Sequence, residues 1–113
     1  MHRCPEADRF RSLPRHQVLG LDVPVAVDFH SRLLGLAGLS RERAGAGLLL
    51  PRCASVHTFG MRFDLDLVFL DDEDRPLAVF LRVPPRRLAW HGGAAAVLEI
   101  PSPQGGEFAG ART

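Results

Sequence analysis

Two apolar runs, residues 65–70 and 77–83, flank a short polar segment, Asp71-Asp72-Glu73-Asp74-Arg75. The first run is interrupted only by Asp66. Apolar runs of this length, rich in Leu, Val and Phe and joined by a few polar residues, predict a β-hairpin. The acidic cluster then lies at the hairpin tip. It lacks the spaced ligands, central glycine and closing glutamate of a calcium loop, so it reads as a solvated turn.

The rest of the chain is cut into short pieces. Nine prolines and eleven glycines in 113 residues favour brief elements over long helices. Residues 17–27 alternate apolar and polar and are broken by Pro24, which predicts one or two short strands. Asp28 is placed to cap a helix in which Phe29, Leu33, Leu34 and Leu36 recur at helical spacing. That helix is expected to stop near Gly38, and Ser40 to open a short turn with Glu42 and Arg43. Leu48, Leu49 and Leu50 form a run closed by Pro51, and residues 53–59 read as a strand. Pro84-Pro85 ends the hairpin, residues 86–93 read as a loop, and a last strand from Ala95 to Ile100 is stopped by Pro101 and Pro103. No internal repeat is visible. The expected organisation is a polar arm over 1–16, one globular domain over 17–101 and a mobile tail over 102–113.

Charge narrows the function classes. All 14 basic residues are arginine, and they face 13 acidic residues, for a net charge of +1. Arginine often marks phosphate or nucleic-acid binding, but a cancelled charge gives no field to attract a polyanion. The absence of lysine, asparagine and tyrosine follows the codon bias of a GC-rich genome. The expectation is no nucleic-acid partner. No apolar run approaches the ~20 residues that span a bilayer, and the polar start has no apolar leader core, so a cytoplasmic protein without membrane association is expected. There Cys4 and Cys53 remain free thiols.

An ordered set of motifs points to a family. These are Arg32 to Leu39, Gly47 to Pro51, His57-Thr58-Phe59-Gly60-Met61-Arg62-Phe63, Leu65-Asp66-Leu67-Val68-Phe69-Leu70-Asp71, and Val97-Leu98-Glu99-Ile100-Pro101. In order and spacing over residues 18–101 the chain resembles the bacterial and archaeal family called domain of unknown function 192. The resemblance implies a compact, largely antiparallel β fold with a helix against it, and no activity. The expected class is α+β, mainly antiparallel β: a small barrel-like sheet with one helix packed against it.

Candidate site residues concentrate in the middle of the chain. Cys53, His57 and Met61 are soft or borderline metal ligands. On one continuous strand, however, residues four apart are separated by about 13 Å, too far to share an ion. No metal or cofactor is therefore expected. Asp66, surrounded by apolar residues, needs a partner if buried. It either orients the His57 ring for proton transfer or bonds to backbone amides or Arg62 and pins a turn; the second is preferred. Trp90 either walls a pocket or closes one end of the core. Glu99, between Leu98 and Ile100, needs a partner if it faces inward, and Arg62 or Arg82 is the expected one. No serine elbow, thiolate–imidazole pair or phosphate loop is complete. The preferred expectation is a non-catalytic binding or accessory module, a monomer or weak dimer. Its cleft, formed by His57, Met61, Arg62, Asp66 and Trp90, takes a small polar or anionic ligand or a protein segment. The alternative is a hydrolase-type or metal-dependent enzyme using His57 and Asp66.

Overall fold

The structure, a computed structural model, describes residues 7–103. Cys4 and nearly all of the expected tail lie outside the described residues. Eleven short elements follow one another. A 3₁₀ turn (Asp8–Phe10) leads into β1 (Arg15–Val18) and β2 (Leu21–Pro24), and helices α1 (Phe29–Leu34) and α2 (Arg41–Ala44) come next. Then come β3 (Leu48–Pro51), β4 (Ser55–His57), β5 (Leu65–Leu70), β6 (Pro76–Val83), β7 (Leu88–Trp90) and β8 (Ala96–Pro101).

The predicted hairpin is β5–β6, with Val68 opposite Val79 and Leu70 opposite Pro76. Asp71 makes its turn. The Asp71 carboxylate accepts hydrogen bonds from the backbone N–H groups of Glu73 (2.8 Å) and Arg75 (2.9 Å), which hold it below the usual carboxylate range. This is the local side-chain-to-backbone bonding that makes aspartate a turn former.

β5 is the centre of a four-stranded sheet of order β3-β8-β5-β6, antiparallel at every pairing. Successive residues of a strand point to opposite faces. Leu65, Leu67, Phe69 and Val97 pack with Leu48 and Leu50 on one face; Val68, Leu70, Ala96, Leu98 and Leu49 pack on the other. Phe10, Leu13, Leu36, Val56 and Met61 cover the first face. The β1–β2 ribbon covers the second through Val18 and Val23. Burial on both sides explains why β5 reads as a nearly unbroken apolar run rather than an alternating one.

Four expectations are corrected. The described sheets do not close into a barrel: β4 and β7 form a separate two-stranded ribbon, and β1 and β2 another. On its outer edge β3 receives only an isolated parallel bridge, Val25 to Leu49. The described residues hold two helices instead of one, of six and four residues. Asp28 does cap α1, accepting from the Ser31 N–H at 2.7 Å. The helix stops at Gly35, whose φ of 54° leaves the helical region, three residues before Gly38. Residues 7–16 are not a free arm. Ala7, Phe10 and Leu13 are buried in the core, and Arg9 donates to the carbonyls of Gly35 (2.9 Å) and Ala37 (2.8 Å).

Candidate functional site: a buried carboxyl group beside a small cavity

β8 runs between β3 and β5, and Glu99 sits opposite Leu48 on one side and Leu67 on the other. Strand alternation puts its side chain on the face of Val97, toward the core that holds Leu36 and Met61. It is 2% exposed. Its Oε1 atom has no hydrogen-bond partner among the described residues. Burial pushes the Glu99 carboxyl up to about 8, against the opposing pull of the Leu36 backbone N–H. In low dielectric the ion loses more in hydration than the single Leu36 N–H restores, so the neutral acid is favoured.

Two glycines let the backbone come this close. A Cβ on Gly35 would stand 2.8 Å from Glu99 Oε1, and one on Gly47 would stand 2.5 Å from the Glu99 carbonyl oxygen. Arg9, by gripping the carbonyls on either side of Leu36, fixes the segment that faces the carboxyl group.

Glu99 lines a cavity of about 70 Å³ together with Arg32, Leu50, Cys53, Ser55, His57 and Met61. Arg32 donates to the carbonyls of Pro51 and Arg52 and forms no ion pair with an acid among the described residues. The Cys53 thiol donates to the Ser55 carbonyl at 3.0 Å. His57 Nδ1 accepts from the Phe59 N–H at 3.2 Å, which puts the proton of a neutral ring on Nε2. A second, more open hollow of about 310 Å³ is formed by Ser55, Val56, His57, Leu88, Ala89 and Trp90. The two hollows share Ser55, Val56 and His57.

The expected five-residue cleft is therefore not assembled. His57 and Met61 meet at the cavity, while Trp90 belongs to the groove alone. Trp90 is 68% exposed and does not close the core. Arg62 is exposed and donates to the Gly38 carbonyl at 3.3 Å. Asp66 alternates with Leu65 and Leu67 and so points to the other face of the sheet, away from His57. Its carboxylate accepts from the Arg82 N–H (3.0 Å) and from the Ser102 hydroxyl (2.6 Å). It pins an irregularity in the β5–β6 register through a backbone amide, as preferred above, but inside the strand pair and not at a turn. An enzyme built on a His57–Asp66 pair loses its acid. No three His, Cys, Asp or Glu side chains cluster as metal ligands among the described residues. Arg62 and Arg82, the partners expected for Glu99, do not line its cavity.

No curated protein matches the chain. Two crystal structures share its fold. A proposed transcription regulator from Sinorhizobium meliloti aligns with a TM-score of 0.65 at 20% identity, covering 78% of each chain. A protein of unknown function from Novosphingobium aromaticivorans aligns with a TM-score of 0.58 at 20% identity, covering 90% of this chain and 87% of the other. At that identity the likeness speaks for architecture alone. The family model DUF192, described as an uncharacterized ACR, matches residues 12–109, and the chain belongs to that family.

Proposed function

We propose that the protein is a non-catalytic binding or accessory module of the cytoplasm, acting as a monomer or weak dimer. Its ligand is a small polar or anionic molecule or a protein segment held along β4. The observation that carries this reading is the pair of hollows that share Ser55, Val56 and His57: a smaller one whose mostly apolar wall includes Arg32 and Glu99, and a more open one with an exposed tryptophan. Concave sites with apolar walls and a few convergent polar groups are where small ligands bind. The balance of 14 arginines and 13 acids argues against a polyanionic partner.

Trp90, the only tryptophan, makes the groove its own reporter. We expect its fluorescence, and the backbone amide resonances of residues 55–57 and 88–90, to shift saturably with at least one member of a panel of small carboxylates, phosphates and short peptides. A panel that shifts none of these residues would overturn the binding reading.

A further inference from the structure

Packing does not require an acid at position 99. A leucine would continue the apolar pattern between Leu48 and Leu67, yet the chain places a carboxyl group there with Oε1 unpartnered at a cavity wall. Buried polar atoms are as a rule hydrogen-bonded, so its presence calls for a partner that the described residues do not supply. A neutral carboxyl group carries one O–H, and its complement is an acceptor oxygen. Arg32, in the same wall and unopposed by an acid among the described residues, favours an acceptor that carries negative charge. Size sets a further limit. The cavity holds about 70 Å³, against the ~10–15 Å³ that one water needs, so only a group of a few non-hydrogen atoms can enter.

We propose that this cavity binds the carboxylate end of a small acid, with Glu99 donating its O–H to one carboxylate oxygen and Arg32 supplying the opposing charge. This rests on the module reading and names its ligand class. The groups that face the site are Arg32 at the end of α1, the Leu36 N–H before α2, Cys53 before β4 and His57 on β4. Raising the pH until Glu99 ionises sets two negative groups against each other, and binding falls.

The test is a nuclear magnetic resonance titration with acetate, propionate and butyrate, with acetamide as the uncharged control, reading the amides of Gly35, Leu36 and Glu99. We expect saturable shifts with the carboxylates near pH 6.5 and at least about tenfold weaker binding near pH 9.5. Glu99→Gln keeps an N–H donor that does not titrate, so it retains binding within about threefold and loses the alkaline decline. Glu99→Met removes the donor and weakens binding at least about tenfold, and Arg32→Gln does the same by removing the charge. The dispersed spectrum of each variant reports its folding. A short peptide with a free C-terminus, compared with its amidated form, distinguishes a protein carboxylate from a free small acid; binding of either source supports the proposal. Two results overturn it: no carboxylate shifts at Gly35 and Leu36, or an alkaline decline that persists in Glu99→Gln. Shifts confined to residues 88–90 also overturn it while leaving the module reading intact, and silence at both hollows removes both.

Discussion

Replacing Glu99 with glutamine changes how the stability of the protein depends on pH. The Glu99 carboxyl has an ordinary value of 4.5 and is pushed up to about 8 in the fold. Between those two values the folded protein holds a proton that the unfolded chain has released. Stability is therefore greatest below pH 4.5 with respect to this group, declines as pH rises, and levels off above about 8. Each pH unit in the window is worth about 1.4 kcal/mol, so the whole decline is of order 5 kcal/mol, with roughly 3 kcal/mol already lost at pH 7. That is a large fraction of the ~5–15 kcal/mol that holds a domain together. Glutamine fits the same space and cannot ionise, but its amide presents two N–H donors where the acid presents one O–H, and the additional unpaired donor costs about 1–3 kcal/mol. The two stability curves should cross. Near pH 5 the native protein is the more stable; near pH 9 the variant is, by about 2–4 kcal/mol. Urea denaturation of both proteins at several pH values measures this, and subtraction removes every other titrating group they share. Parallel curves, or a native protein whose stability is flat from pH 5 to 8, would refute the buried-acid reasoning.

Gly35→Ala should destabilise the fold by at least about 2 kcal/mol in urea, because Gly35 has a φ of 54° and the new methyl group would stand 2.8 Å from Glu99 Oε1. Asp66→Ala should cost about 1–3 kcal/mol by orphaning the Arg82 N–H and the Ser102 hydroxyl. Asp66→Asn keeps an acceptor oxygen and should cost less than about 1 kcal/mol. Because Asp66 faces the other side of the sheet, Asp66→Asn should also leave carboxylate titrations unchanged. Trp90→Ala should change the unfolding midpoint little, within about 0.5 kcal/mol, since the ring is 68% exposed, yet abolish the fluorescence response to groove ligands.

Local chemistry was legible in the sequence, and long-range placement was not. The β5–β6 hairpin and its Asp71 turn follow from residues adjacent in the chain, and so does the Asp28 cap. The Glu99 carboxyl stood out as an acid in an apolar strand, but arginine was the expected partner. Nothing in the spacing told that its neighbour would be a helix-end loop, 63 residues earlier by number, with Leu36 turned toward it. His57 and Asp66 are nine residues apart, and only the packing of separate sheets decides that they face different sides. The sequence left Trp90 between a pocket wall and a core plug, and the pairing of β7 with only the short β4 decides it by leaving the ring outside, on the open hollow. One signal was present and missed. Ala7, Phe10 and Leu13 recur every three residues, the period of a 3₁₀ turn with one buried side.

The walls of the cavity come from the end of α1, the approach to β4, and the last strand. Each wall is remote in the chain from the others, so no excised peptide can carry the hollow. Its formation marks completion of the fold rather than any local step, and a chain lacking β8 would have neither the acid nor the floor on which it sits.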